Sequence, residues 1–186
     1  MARAPRLFVI SGCSGGGKST LLAQMAARGW AVAHEPGREV VREETARGGD
    51  GLPWENLTRF AELCVARAAA DHAAALARPG ATLFDRSILD AVAALERAGL
   101  PVPAAMAAEL AARRYDAPVF LAPPWPELRR PDAERRLDLA AAVAEHDHLE
   151  TRYPAEGYRT EPLPRLSVAE RADWLEARLD ALEAAA

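Results

Sequence analysis

Lysine is almost missing from this chain. Of the 23 Lys and Arg positions in 186 residues, Lys18 alone is lysine. An Asn-Lys-x-Asp guanine reader is therefore excluded, because the single lysine sits in Gly-Gly-Lys-Ser. Cysteine is scarce as well. Cys13 and Cys64 are the only two, and they form no metal-ligand spacing. Two thiols without a secretion signal predict a reducing, cytoplasmic setting. An excess of basic charge is lacking: the net charge is -4. A general nucleic-acid binder would carry a basic face, so no nucleic-acid partner is expected. Long apolar runs are absent too. None approaches the roughly 18 residues that a membrane span needs, and no membrane partner is expected.

What is present reads as a globular chain. Half the residues are hydrophobic and 27% are charged. The length fits one medium domain with a core of its own. The run RLFVIS, residues 6–11, is continuously apolar, the mark of a buried parallel strand. STLLAQMAARG predicts a helix stopped by Gly29. WAVAHE predicts a second strand, and GREVVREETARGG a short helix.

A long helix is predicted from Trp54, with Trp54, Leu57, Ala61, Cys64 and Ala68 on its apolar face. ATLFDRS reads as a third strand, and ILDAVAALERAG and AAMAAELAARR as helices. APVFLAP is a fourth strand. A helix through DAERRLDLAAAVAEHDHLETRY should end before Pro154, and YRTEPLP is a fifth strand. The last helix opens at Ser167 with Glu170 as a capping box, and Val168, Ala172, Leu175, Leu179 and Leu182 point to the core. Strands alternating with helices predict an α/β fold, a parallel sheet between two helical layers. Ligands should gather at the carboxyl ends of its strands.

The segment GCSGGGKST fits G-x-x-x-x-G-K-[ST] between a strand and a helix. Glycines let backbone N–H groups converge on a phosphate chain, and the helix start adds its positive dipole end. Gly12, Cys13, Ser14, Gly15, Gly16, Gly17, Lys18, Ser19 and Thr20 are thus the candidate nucleotide cradle. A compact ammonium on a flexible stem fits inside such a loop where a forked guanidinium does not. That accounts for a lysine here in a chain that otherwise uses arginine. Ser19 is a candidate Mg²⁺ ligand, and Thr20 is expected near the α-phosphate.

Asp85 ends the third strand, where a carboxylate that orders Mg²⁺ belongs. Arg86 beside it pairs with carboxylates or touches phosphate. The Asp-Arg pair lacks the second acid of a motor-type ATPase. Glu35 follows the second strand and is a candidate base for an acceptor hydroxyl. Arg38 and Arg86 are candidate acceptor contacts. Arg129, Arg130, Arg135 and Arg136 cluster after the fourth strand. They are expected in a lid, at about residues 123–150, that closes over the phosphates. Arg130 and Arg135 are the candidate catalytic arginines of that lid, and Arg136 a nucleotide contact.

On these residues the chain resembles the small single-domain P-loop proteins called AAA domain proteins or AAA family ATPases, which are related to nicotinamide riboside kinase-like P-loop kinases. The matching features are Gly12 to Thr20, Glu35 with Arg38, and Asp85, Arg86 and Asp90. VFLAPPWPELRRPDAERR, HLETRYPAEGY and LPRLSVAERADWL extend the likeness over nearly the whole chain. The resemblance implies strand order 2-3-1-4-5, ATP and Mg²⁺ as cofactors, and transfer of phosphate to a small, nucleoside-like acceptor. A P-loop ATPase or nucleotide switch acting through a partner protein is the alternative.

Overall fold

The computed structural model describes residues 4–125 and 139–184. The elements alternate as expected. Strand β1 (Arg6–Gly12) leads through a loop to helix α1 (Lys18–Ala27), then β2 (Ala31–Ala33) and α2 (Pro36–Arg47). Helix α3 (Leu57–Leu76) precedes β3 (Ala81–Asp85), α4 (Ile88–Arg97) and α5 (Ala104–Ala112). Strand β4 (Asp116–Ala122), α6 (Leu139–Ala155), β5 (Thr160–Pro162) and α7 (Val168–Ala184) complete the order. The sheet runs β2-β3-β1-β4-β5, every neighbouring pair parallel. This is the order that the resemblance implied.

Alternation along β1 builds two cores from one apolar run. Leu7 and Val9 face Ala61, Val65, Leu89 and Leu149 of the layer formed by α3, α4 and α6. Phe8 and Ile10 face Leu21, Met25, Leu175 and Leu179 of α1 and α7. Side chains one residue apart point to opposite faces, so a strand covered on both sides must be apolar throughout. Burying each of these large side chains contributes roughly 1.5–3 kcal/mol. Crossovers on both faces leave the strand ends of β1, β2 and β3 free to carry the loops of the site.

Three boundaries differ from the sequence expectation. Helix α3 starts at Leu57 rather than Trp54, because the Asn56 side chain accepts the Arg59 amide at 3.1 Å and caps it. Trp54 therefore lies outside the helix and is 51% exposed. Strand β2 pairs only over Ala31–Ala33, where β3 is its single neighbour. Helix α6 runs past Pro154 to Ala155. In the last turn the proline forfeits only its own missing N–H bond, and the Gly157 amide returns to the Pro154 carbonyl at 2.9 Å. Helix α7 opens with the reciprocal Ser167–Glu170 capping bonds, as expected.

Candidate active site

The loop after β1 is held in shape by close backbone packing. Gly12 has a φ of 104°, and a β-carbon there would lie 2.4 Å from the Ala122 carbonyl oxygen. Only glycine permits both the angle and the contact. Gly17, with a φ of 75°, turns the chain into α1. Inside the loop the Lys18 ammonium is buried and donates to the carbonyls of Gly12 at 3.0 Å and Cys13 at 2.7 Å. Burial, followed by the nearby Arg86 charge, lowers its pKa. Cys13 is buried and donates its thiol to the Pro123 carbonyl. Burial raises its pKa, so it is a thiol and not a thiolate. Thr20 is solvent-exposed at the outer face of α1.

Strand β3 delivers Asp85 to the same place. The Ser19 hydroxyl donates to Asp85 Oδ2 at 2.9 Å. Asp85 is 3% exposed, and its Oδ1 is buried without a partner among the described residues. Burial, then the charge of Glu35, raises the Asp85 pKa. A hydroxyl and a carboxylate with a spare buried oxygen are oxygen donors of the type that hard cations take.

Arg86 follows directly and takes a left-handed backbone, φ 73°. Its amide donates to the Ile10 carbonyl, which ties the turn back to β1. Its guanidinium gathers three carboxylates: Glu35 at 3.1 Å, Asp90 at 3.1 Å and Glu145 at 2.8 Å. Burial opposes that charge, but Glu145, Glu35, Asp90 and Asp85 outweigh it and raise the pKa. Arg38 closes on the other oxygen of Glu35 at 3.0 Å. Asp90 also accepts from Ser11, Ser87 and Tyr153, which locks α4 against β1 and α6.

The predicted residues Gly12 to Ser19, Glu35, Arg38, Asp85 and Arg86 thus form one continuous site. Arg129, Arg130, Arg135 and Arg136 lie outside the described residues. Two members were not foreseen in the sequence. Glu145 of α6 accepts the Ser14 amide at 2.8 Å. Arg171 of α7 donates to the carbonyls of Gly16 and Gly17. In both helices the signal was a charged residue at a position where the apolar spacing asks for a core side chain.

Two cavities meet at Glu35. One, of about 510 Å³, is walled by Pro36, Val41, Trp54, Leu57, Phe60 and Ala61, with Glu35, Arg38, Arg86, Asp90 and Glu145 at its polar end. The other, of about 400 Å³, holds Ser19, His34 and Asp85. Glu35 lines both.

Residues 7–171 match the protein family described as "AAA domain". No curated protein matches the chain in sequence. Among solved structures, NadR protein in complex with NR shares 16% identity at a TM-score of 0.68, over 96% of this chain and 50% of that one. The present chain therefore spans half the length of NadR. Deoxyadenosine kinase from M. mycoides with bound dATP is 14% identical at a TM-score of 0.64, over 94% of this chain and 99% of that one. Thymidylate kinase from Ehrlichia chaffeensis is 14% identical at a TM-score of 0.59, over 94% and 98%. At these identities the likeness is one of fold.

Proposed function

Because the chain belongs to the AAA domain family and is a kinase-like P-loop nucleotide-binding protein, we propose that it is an ATP-dependent phosphotransferase acting on a small hydroxyl-bearing compound with a flat, nucleoside-like ring. The observation that carries this is the position of Glu35 between the two cavities. The smaller one is lined by Ser19 and Asp85, whose oxygens suit a hard cation. The larger is an apolar slot of the size that small-molecule sites take, with a polar end. Trp54 and Phe60 are among its lining residues, and aromatic side chains suit a flat ring. The deoxyadenosine and thymidylate kinases of the same fold support an acceptor of this class.

In this reading the loop amides and Lys18 bind the phosphates of ATP, and Ser19 and Asp85 hold Mg²⁺. The cation supplies neutralising charge on the phosphates when bound. Glu35 takes the proton of the acceptor hydroxyl as its oxygen bonds the γ-phosphorus. The bond from that phosphorus to the β–γ bridging oxygen breaks, and ADP leaves. Arg38 and Arg86 orient Glu35 and the transferring group. In the same reading Arg129, Arg130, Arg135 and Arg136, which lie outside the described residues, serve the transferring phosphate, and the protein works in the cytoplasm. Among the described residues no helix is long and apolar enough to cross a membrane.

The test is ADP release with a panel of nucleosides and related ring compounds, with mass spectrometry of the products. Acceptor-dependent release and a phosphorylated product are expected. Slow hydrolysis that ignores every acceptor would replace the kinase reading with a nucleotide switch.

A further inference from the structure

Arg171 is one of the largest buried side chains in the protein, 1% exposed. It stands on α7 and reaches under the loop after β1. Its guanidinium donates to the Gly16 carbonyl at 3.1 Å and the Gly17 carbonyl at 2.8 Å. Trp125 covers it, with the ring centroid 5.6 Å from the guanidinium carbon. Its Nε is buried with no acceptor, and no carboxylate pairs with it among the described residues. Burial alone lowers its pKa, yet arginine stays charged at any physiological pH. A buried cation with no counter-charge is unfavourable and calls for a reason.

The two carbonyls supply one. The Gly16 carbonyl shares its peptide group with the Gly17 N–H, and the Gly17 carbonyl shares its own with the Lys18 N–H. These are first-turn amides of α1, which a helix leaves without intrahelical partners. Neither donates to an acceptor among the described residues. A hydrogen bond from a cation to a peptide carbonyl draws electron density toward that oxygen. It makes the N–H on the other side of the same planar group a stronger donor. In a trans peptide group the N–H lies opposite the carbonyl, so both N–H groups point away from the guanidinium. The Gly17 carbonyl also accepts the Leu21 amide at 3.1 Å, so Arg171 adds a charged donor to a carbonyl that α1 already holds.

We infer that Arg171 is a positioning residue for the phosphate cradle: from behind the loop it orients and polarises the two peptide groups whose N–H groups, of Gly17 and Lys18, receive the phosphate chain. This rests on the nucleotide-binding reading above and deepens it. Arg171 touches no substrate and acts only through the loop. Its positive charge, unpaired with any carboxylate among the described residues, stands directly behind the loop. Helix α7 thereby takes part in nucleotide binding although its own side chains never reach the ligand.

The experiment compares wild type with Arg171→Met, which keeps the length and removes the charge, and Arg171→Lys, which keeps a charged donor. Titrations with ADP and with pyrophosphate give affinities, and amide NMR of the nucleotide-free proteins gives the polarisation. Arg171→Met is expected to lose about tenfold or more in affinity for both, the effect of a charged hydrogen-bond donor. Its Gly17 and Lys18 amide protons should move upfield while that of Gly15 holds. Arg171→Lys should recover most of both changes. A purely structural brace would instead lower stability and shift the whole loop together. That outcome, unmoved Gly17 and Lys18 resonances, or an unchanged ADP affinity overturns the inference. If the methionine variant does not fold, the lysine variant is compared with wild type directly. A smaller upfield shift of the same two amides is expected, and no shift overturns it. Wild-type protein that binds neither ADP nor pyrophosphate overturns the nucleotide reading itself and this inference with it. Wild-type binding with an unaltered methionine variant overturns only the role of Arg171.

Discussion

Ser14 and Glu145, 131 positions apart in the chain, are joined by a 2.8 Å hydrogen bond from the loop amide to the carboxylate. The same carboxylate pairs with Arg86 at 2.8 Å. An anion of the protein is thus bonded to one amide of a loop whose chemistry suits phosphate. Helix α6, which carries Glu145, is thus bonded directly to the loop.

Glu145→Gln keeps the hydrogen bond to Ser14 but removes a negative charge beside the loop. A phosphate chain then meets less repulsion, and ATP affinity should increase by about tenfold, the effect of one nearby like charge at an intermediate dielectric. Stability should fall by about 1–2 kcal/mol, less than for most broken buried pairs, because Glu35 and Asp90 still hold Arg86. Isothermal titration with ATP and chemical denaturation of both proteins check the two signs.

The pH dependence follows from the same pair. Burial raises the Glu145 pKa, but Arg86 and Lys18 outweigh it and hold it below its ordinary 4.5. A depressed carboxylate contributes stability that is fully present above its unfolded value and is lost as pH falls through the folded one. The stability difference between wild type and Glu145→Gln should therefore be constant above about pH 5 and shrink as pH falls below 4.5. Denaturation midpoints at a series of pH values decide it. A difference that grows on acidification would contradict the ion pair with Arg86.

Glu145 and Arg171 mark the limit of what the primary structure showed. Gly12 to Ser19 were legible because a strand, a glycine-rich turn and a helix start are contiguous, and the geometry is local. Asp85 and Arg86 were legible because a charged pair at the end of an apolar strand must lie at the sheet's carboxyl edge. Glu145 and Arg171 reach the loop from 131 and 155 positions away. By residue type alone nothing distinguishes them from the many charges that solvate a helix. Only their place among Ala142, Leu149, Ala172 and Leu175, all buried, set them apart. The start of α3 was misjudged at Trp54 because an apolar residue at helical spacing outweighed the Asn56 cap.

The charged form of Asp85 is held at a disadvantage by its surroundings. Burial, and then Glu35, raises its pKa. A raised carboxylate contributes stability below its unfolded value, ordinarily 3.8, and that contribution is lost as pH rises through the folded value. Asp85→Asn should therefore melt a few degrees higher than wild type at neutral pH, with the gain vanishing toward pH 3.8. Mg²⁺-dependent turnover should drop by on the order of 100-fold or more. A variant that is more stable and still fully active would remove Asp85 from the cation site.

Lys18 is the lysine that arginine has not replaced. Its ammonium fits between the Gly12 and Cys13 carbonyls inside a closed loop. A guanidinium is wider and needs a planar slot. Lys18→Arg should therefore lose nucleotide binding almost as completely as Lys18→Ala, about 100-fold in each. It should also be the less stable of the two, since it adds volume to a filled site. ATP titration and melting curves of both variants measure this. Near-normal affinity in Lys18→Arg would mean that only charge matters here.

Trp54 is half exposed on the wall of the larger cavity, and Phe60 lies on the same wall. A large aromatic face left partly in water is a place for a ligand's ring, because covering it removes apolar area from solvent. Trp54→Ala should raise the acceptor KM by about tenfold, the range for truncating an aromatic anchor. The KM for ATP should stay unchanged, since Trp54 borders only the cavity away from Ser19 and Asp85. Steady-state kinetics with each substrate varied in turn separate the two constants. A parallel rise in both would place the tryptophan at the nucleotide, and an unchanged acceptor KM would move the acceptor out of the slot altogether.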